Sequence, residues 1–195
     1  MEKPENEKIL TLQEKLIKQL ESKGHAEELV DHYWGSINYV LGLIRASEVK
    51  AGLILSFYGI LLNFIFPKIE TVMIAGSAYL LLYALLASWF LCTVLSIYYS
   101  IRCFMPRIED KYEANVFFFG DVISKFGSIK EFSKTFYELS LKEEELFEQL
   151  GQQIFIISKI AALKFKYVNL SLRFLAFGLI TLLTVVIYYT FIVLT

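Results

Sequence analysis

Basic side chains stand at two places where they could bind an anionic ligand such as a nucleotide phosphate. Arg45 and Lys50 precede one long apolar stretch, and Lys159 and Lys164 lie on a helical stretch that leads into another. Lysine and arginine form charge-assisted hydrogen bonds with phosphate oxygens, so these four are the candidate phosphate-binding residues. The other interpretation is that they anchor helices at lipid headgroups. The residues alone leave both roles open.

Polar and aromatic residues could contact the rest of such a ligand. Asn115, Gln153 and Ser158 carry hydrogen-bonding groups, and Phe117–Phe119 form a run without helical period. We predict hydrogen-bonding roles for the three polar residues and a stacking or pocket-wall role for the run, Phe119 included. The alternative for the run is ordinary packing in a buried turn or an extended piece.

The histidines and acidic residues do not point to catalysis or to a metal. His25 and His32 share a helix face with Glu28, but about 10 Å of helix separates the two rings, too far for both to bind one ion. Glu143–Glu145 suit the first turn of a helix, where negative charge is favourable. The sequence has no phosphate-cradling glycine-rich loop, zinc spacing or nucleophile elbow. We therefore predict a protein that is not an enzyme, with no catalytic residues, metal site or cofactor.

The apolar residues are gathered into long blocks without charge, a pattern typical of membrane proteins. They make up 56% of the 195 residues, and the runs 51–67, 71–101 and 174–195 contain no Asp, Glu, Lys or Arg. As helices the first two runs would extend about 26 Å and about 46 Å, against a hydrocarbon core of about 30 Å. The sequence predicts three transmembrane helices, although the first could be re-entrant. The net charge of −1 does not suggest nucleic-acid binding.

The distribution of lysine and arginine predicts the orientation in the membrane. The link between the first two spans is predicted at Pro67–Glu70 and has one basic residue, Lys68, whereas the other basic residues precede the first span or lie between the second and third. The positive-inside rule places those regions in the cytoplasm. We expect a multi-pass protein with a cytoplasmic N-terminus and a C-terminus outside.

The charged regions carry helix start and stop signals. A capping box at Thr11–Glu14 and a stop at Gly24 predict two helices in the first 50 residues, the second running into the first span. A box at Ser128–Glu131 predicts a short helix to about Leu139. A third box, Ser140–Glu143, predicts one helix of about 50 residues that enters the last span.

These elements define an all-α membrane protein. We predict three transmembrane helices and a cytoplasmic helical bundle that is continuous with the spans. The expected division is residues 1–47 as cytoplasmic N-terminal helices, 48–101 as a transmembrane hairpin, 102–172 as a cytoplasmic helical region and 173–195 as the third span.

Three short motifs around these spans resemble the transmembrane effectors of Pycsar antiphage systems. Residues 45–52, Arg-Ala-Ser-Glu-Val-Lys-Ala-Gly, resemble that family's R-x-x-D-x-K-A segment, with Glu48 where the family has Asp. Residues 115–120 resemble its N-x-x-x-F-G segment, and residues 153–164 its Q-I-x-x-x-S-x-I-A-x-x-K helix. The order and spacing match from about Ile37 to the end of the sequence.

The resemblance implies a role in abortive infection. A partner cyclase would make a cyclic pyrimidine mononucleotide, cCMP or cUMP, during phage infection. The effector would sense it through its cytoplasmic helices, assemble as a homo-oligomer and disrupt the bacterial inner membrane. Similar spans occur in effectors of other nucleotide signals, so the ligand stays open.

Two other classes of protein fit the same sequence. A constitutive channel or transporter is one, although the spans carry no charged residue deep in the membrane, where transport sites usually need one. A membrane scaffold without a ligand is the other, because long capped helices suit it equally well.

Overall fold

The computed structural model describes residues 3–75, 80–105 and 114–194, and every regular element in these ranges is an α-helix. Five helices follow one another along the chain. They are α1 (Lys3–Ala75), α2 (Leu80–Phe104), α3 (Phe119–Ser124), α4 (Ile129–Ser140) and α5 (Glu143–Leu194).

The first helix is a single element of 73 residues. The prediction of two helices before Lys50 is wrong, since α1 passes through Gly24 and contains Thr11–Glu14 in its interior. One glycine inside a helix costs only about 1 kcal/mol relative to alanine. Gly24 is exposed and no proline follows it until Pro67, so nothing in the intervening chain forces a break.

The same helix also continues beyond the expected link between the first two spans. Pro67 lies inside α1, which ends at Ala75, so the predicted link at Pro67–Glu70 is wrong and α2 begins only at Leu80. Proline has no N–H to donate to the carbonyl one turn earlier in a helix. Apolar helices tolerate it when neighbouring groups supply a donor for that carbonyl. The last carbonyls of a helix lack internal donors, and the Tyr83 hydroxyl donates to one of them, the Met73 carbonyl, at 2.9 Å.

The two later capping boxes have different outcomes. The box at Ser128 is confirmed: its hydroxyl accepts from the Glu131 amide at 3.3 Å, and its own amide donates to the Glu131 carboxylate at 2.8 Å. The box at Ser140–Glu143 is wrong, because Ser140 ends α4 and its hydroxyl donates to the Phe136 carbonyl. The long helix itself is confirmed, with 52 residues in α5.

The chain forms two compact units, and α1 and α5 contribute to both. The first unit takes the described residues of Met1–Val40 and Tyr112–Ile157, together with α3 and α4. Its buried apolar side chains come from α1, α5 and the turn before α3; they are Ile37, Val40, Val116, Leu150, Ile156 and Ile157. Aromatic rings extend this core, with Tyr33 and Phe147 centred 5.4 Å apart.

The second unit takes the described residues of Leu41–Lys111 and Ser158–Thr195. Here α1, α2 and α5 pack around an apolar cluster of Ala51, Ile54, Tyr58, Cys103 and Val168. Partly buried side chains from all three helices surround the cluster. The division predicted from the sequence into four consecutive segments stays a prediction.

Within the described ranges, three helices are long and apolar enough to cross a membrane: α1 over Glu27–Glu70, α2 and α5. In the most apolar 18-residue stretch of each helix, only 17% (α1), 22% (α2) and 11% (α5) is buried inside the chain, so most of the apolar surface faces outward. Water would penalise such a surface, whereas lipid does not. The predicted fold class, an all-α membrane protein with three spans continuous with further helices, is confirmed.

Candidate functional site

An ion pair between a buried lysine and a partly exposed glutamate joins the three long helices in the second unit. The Lys164 ammonium on α5 donates to the Glu48 carboxylate on α1 at 2.6 Å and to the Cys103 carbonyl on α2 at 3.0 Å. The Lys164 side chain is 5% exposed and the Glu48 side chain 38% exposed. A buried ammonium needs an opposite charge and hydrogen-bond acceptors, and here two helices supply them. The pair therefore holds α5 to both α1 and α2.

The residues beside the pair extend it into a small polar network. Ser47 is fully buried on α1, and its hydroxyl donates to the Ile44 carbonyl one turn earlier at 2.7 Å. The Cys103 thiol contacts the Ser47 carbonyl at 3.7 Å, a distance typical of a weak sulfur donor. The Cys103 thiol thus joins α2 to α1 through the Ser47 carbonyl.

Three buried serines, Ser96, Ser100 and Ser171, form a second contact between α2 and α5, named here the serine cluster. The Ser171 hydroxyl donates to the Ser96 carbonyl at 2.8 Å and lies 2.7 Å from the Ser100 hydroxyl. The Ser96 hydroxyl donates in turn to the Ser171 carbonyl at 2.8 Å. Small polar residues let apolar helices approach closely and give their hydroxyls partners. The cluster therefore fixes how α2 and α5 pack.

Basic residues near the pair lie over aromatic rings of α5. The Lys50 ammonium is 5.7 Å from the centre of the Phe165 ring, and the Arg102 guanidinium is 5.4 Å from that of Tyr167. Arg102 also donates to the Tyr167 hydroxyl at 3.3 Å. Contacts of this kind contribute about 0.5–1 kcal/mol at exposed sites.

In the first unit, Asn115 organises the turn that precedes α3. Its side-chain amide donates to the Gln149 carbonyl at 2.7 Å, and its side-chain carbonyl accepts from the Phe117 amide at 2.9 Å. Its own backbone amide donates to the Asp121 carboxylate at 3.0 Å. Asn115 is fully buried, so these bonds satisfy groups that water cannot reach. The turn is built around this one side chain.

The phenylalanine run divides between packing and exposure. The Phe117 ring meets Trp34 edge-on with ring centres 6.2 Å apart, and meets Phe136 similarly at 5.7 Å. Phe119 begins α3 and is 80% exposed. Phe117 is therefore a packing residue, whereas Phe119 presents its ring outward.

Gln153 on α5 has an unused hydrogen-bond acceptor. The residue is 9% exposed, and its side-chain Oε1 has no hydrogen-bond partner among the described residues. A buried polar atom without a partner costs about 1–3 kcal/mol, so such an atom in a folded protein calls for an explanation. A bound molecule that donates a hydrogen bond would supply one.

The described residues of the first unit border two open cavities. The larger, about 590 Å³, is bordered by three carboxylates, those of Glu27, Asp31 and Glu143. The smaller, about 290 Å³, is lined by His32, Tyr33, Ser36, Gly151 and Ile154, without a carboxylate. A phosphate would be repelled by the first. None of the eight residues predicted to bind a nucleotide lines either cavity.

The eight predicted binding residues fall into both units. Asn115, Phe119 and Gln153 belong to the first unit, and the other five belong to the second. Within the second unit Arg45, Lys50 and Lys159 are exposed, Ser158 is partly buried and Lys164 is buried. The nucleotide-binding roles of all eight residues stay predictions.

Sequence reasoning missed several residues that organise these regions: Glu48, Asp121, Gln149 and Ser171. Glu48 stands out in the sequence only as a departure from the family motif, and its partner Lys164 is 116 positions away. Ser171 follows Ser96 and Ser100 in an apolar sequence, a signal for helix contact. Asp121 has a local signal only for its ion pair with Lys125, four residues on. The Asp121 and Gln149 side chains also accept from the backbone amides of Asn115 and Val116, and no residue type marks those contacts in the sequence.

Three apolar helices with a buried polar network between them define a multi-pass, all-helical membrane protein. The Pycsar effector protein domain (PycTM) matches residues 32–191, and the chain belongs to this family. The resemblance found in the sequence is confirmed, and membership implies an antiphage defence effector. The family is generally regarded as membrane-disrupting rather than catalytic. Neither a curated protein nor a solved structure matches the chain significantly.

Proposed function

We propose that this effector senses a cyclic nucleotide, specifically a cyclic pyrimidine mononucleotide such as cCMP or cUMP made by a partner cyclase. Binding to its cytoplasmic helices would lead it to disrupt the bacterial inner membrane, so that an infected cell dies before phage is released. The observation that carries the proposal is the extent of the family match. It runs over residues 32–191 and so includes α3 and α4, all of α2 and most of the candidate spans in α1 and α5.

The proposed orientation places the charged helices in the cytoplasm, where the nucleotide is made. Lys68 is the only lysine or arginine between Lys50 and Arg102, and none follows Arg173. The positive-inside rule then favours a cytoplasmic N-terminus and a C-terminus outside. A ligand from the cytoplasm would reach both the first unit and the basic residues of the second.

Exposed cations are the proposed phosphate contacts. Arg45, Lys50 and Lys159 are exposed, and guanidinium and ammonium groups bind phosphate oxygens well. Lys164 differs, since its ammonium is already bonded to Glu48 and the Cys103 carbonyl. A phosphate on Lys164 would have to replace Glu48, and that exchange would loosen the contact between α1 and α5.

The base of the nucleotide is proposed to meet the polar residues. Gln153 offers an unpaired acceptor, and both the cytosine amino group and the uracil imide carry donors. The exposed ring of Phe119 would stack on a base, and Ser158 offers a hydroxyl. Asn115 would contribute only if ligand binding changed the bonds that it makes in its turn.

Assembly into a homo-oligomer is part of the proposal. The spans leave most of their apolar surface uncovered within one chain, and other copies would cover part of it. A ligand can drive such a change only through a difference in affinity between the two states. Tighter binding to the assembled state would therefore couple the nucleotide to membrane damage.

A leakage assay tests the proposal directly. The purified full-length chain is placed in liposomes that hold a self-quenched dye, and cCMP, cUMP, cAMP or cGMP is added. We expect leakage with one of the pyrimidine nucleotides and none with either purine nucleotide. The variant Lys159→Gln should shift the response to higher nucleotide concentration, whereas the matched control Lys166→Gln, an exposed lysine on the same helix, should not.

The same assay separates the two rival classes. Leakage that needs no nucleotide would identify a constitutive channel or transporter. Silence with all four nucleotides, together with unchanged melting, would contradict the proposal and favour a scaffold. An equal response to pyrimidine and purine nucleotides would refute the pyrimidine specificity alone.

A further inference from the structure

An apolar cavity of about 180 Å³ lies within the second unit, among α1, α2 and α5. Its walls include Ile65 and Val72 of α1, Trp89 of α2, and Val185 and Val186 of α5. The only charged residue on its border is Lys68. Ligand pockets for compact molecules usually measure about 300–1,000 Å³, so this cavity suits a slender chain rather than a compact ligand.

Lys68 places a positive charge beside this apolar cavity. Its side chain is exposed, and among the described residues no carboxylate forms an ion pair with it. Glu70 is two positions further along α1, and two residues turn a helix by about 200°, so the two side chains leave it in opposite directions. The Lys68 ammonium is therefore available to a negative group from outside the described residues.

The position of Lys68 along α1 matches the boundary of a bilayer. At 1.5 Å per residue it lies about 30 Å along the helix from Glu48, which is about the thickness of the hydrocarbon core. The Glu48–Lys164 pair and Lys68 thus stand at opposite ends of the membrane-spanning part of α1. Phospholipid phosphates are the negative groups found at that depth.

We propose that the cavity is a binding site for one anionic phospholipid, with an acyl chain among α1, α2 and α5 and the headgroup phosphate on Lys68. Charge complementarity identifies the occupant: a lipid has the slender chain that the cavity admits and the anion that Lys68 lacks. An acyl chain gains little hydrophobic energy on leaving the bilayer, because both environments are apolar. Selectivity for anionic lipid therefore comes from Lys68.

Quenching of tryptophan fluorescence by brominated lipid tests the site. The chain has two tryptophans, Trp34 and Trp89, and Trp34→Phe leaves only the one that lines the cavity. This full-length variant is reconstituted in phosphatidylcholine with a small fraction of brominated phosphatidylglycerol or of brominated phosphatidylcholine. We expect about fivefold stronger apparent binding of the anionic lipid, the effect of one lysine near an anionic surface.

Two further variants, each in the Trp34→Phe background, separate headgroup from chain. Lys68→Gln should make the two brominated lipids quench equally, and Val186→Phe, which fills the cavity from an exposed position, should reduce quenching by both. Lys166→Gln, an exposed lysine that does not line the cavity, should keep the preference. Equal quenching by the two brominated lipids in the Trp34→Phe protein that keeps Lys68 would overturn the proposal. Weak quenching by both lipids, together with chemical cross-linking between copies through Lys68, would also overturn it. That result would identify a second protein chain as the occupant of the cavity.

Discussion

The Lys164 ammonium lies 2.6 Å from the Glu48 carboxylate, which joins two segments that are 116 residues apart in the sequence. Glu48 belongs to the motif before the first span, and Lys164 ends the motif before the last one. Two separate segments of the family pattern are thus two halves of one contact. The ion pair explains the presence of Glu48 and Lys164 in the two motifs by their structural role, whether or not a ligand binds.

Glu48→Gln should destabilise the fold by leaving the Lys164 ammonium without its counter-charge. Removing one partner of a fully buried pair costs about 3–5 kcal/mol. The Glu48 side chain is 38% exposed, so we expect a smaller loss of about 1–3 kcal/mol. Thermal unfolding in detergent micelles should show it as a fall of several degrees in Tm.

Two companion variants check this explanation. Glu48→Asp keeps the charge and should retain most of the stability. The double variant Glu48→Gln with Lys164→Met should be less destabilised than Glu48→Gln alone, since it leaves no unpaired charge. If the double variant is instead as unstable as the two single losses added together, the pair does not couple the two residues.

Asn115→Ala should loosen the turn before α3. It removes the partners of the Gln149 carbonyl and the Phe117 amide, and each buried group left unsatisfied costs about 1–3 kcal/mol. Hydrogen exchange should speed up at residues 115–125. Asn38→Ala, at an exposed position of α1, is the control and should change nothing. Unchanged exchange combined with a lost nucleotide response would instead assign Asn115 a direct role in ligand binding.

Ser171 should tolerate a small residue much better than a large one. Ser171→Ala removes hydrogen bonds that contribute on average about 0.6 kcal/mol between membrane helices, so its effect should be modest. Ser171→Leu places a bulky chain where α2 and α5 touch, and overpacking costs about 1–3 kcal/mol or more. Thr184→Leu, at an exposed site on α5, is the control for size. Equal Tm values for Ser171→Leu and Thr184→Leu would show that close approach at Ser171 is unnecessary.

The capping box of α4 should give a measurable dependence on pH. The backbone amide and the hydroxyl of Ser128 both bond the Glu131 carboxylate and hold its pKa below the ordinary value. A carboxyl whose pKa is lowered on folding stabilises the helix above its unfolded pKa, and that contribution disappears as pH falls through the lower, folded pKa.

Comparison of the parent chain with Glu131→Ala isolates this contribution. Hydrogen-exchange rates in the first turn of α4, corrected for intrinsic exchange, should differ between the parent chain and Glu131→Ala at neutral pH. The two corrected rates should become equal at acidic pH. Glu138→Ala, near the other end of α4, removes a carboxylate that does not cap and should show no such convergence. A difference between parent and Glu131→Ala that persists at acidic pH would mean that the carboxylate's charge is not what stabilises the cap.

Much of the fold follows from local sequence. The three apolar runs predicted the spans, and Ser128 with Glu131 predicted the start of α4. A helix of about 50 residues was expected to enter the last span, and α5 has 52. These features depend on neighbours within one or two turns of helix. These features could therefore be predicted without knowing which distant residues they contact.

The errors fall where weak local signals oppose a helix that already exists. Thr11–Glu14, Gly24 and Pro67 all lie inside α1, and Ser140 ends α4 instead of starting α5. A capping box or a glycine shifts a helix end by about 1 kcal/mol. A signal of that size does not by itself end a helix that the residues on both sides continue.

The sequence by itself determined that this protein crosses a membrane, that it is all-helical, and which segments resemble a family of antiphage effectors. Only the tertiary structure decided which polar groups meet: Lys164 with Glu48, Ser171 with Ser96 and Ser100, and Asn115 with Gln149. Hydrophobic runs and caps are local, and a single chain segment reveals them. Pairing between residues more than 30 positions apart depends on how whole helices pack, and no local pattern contains that information.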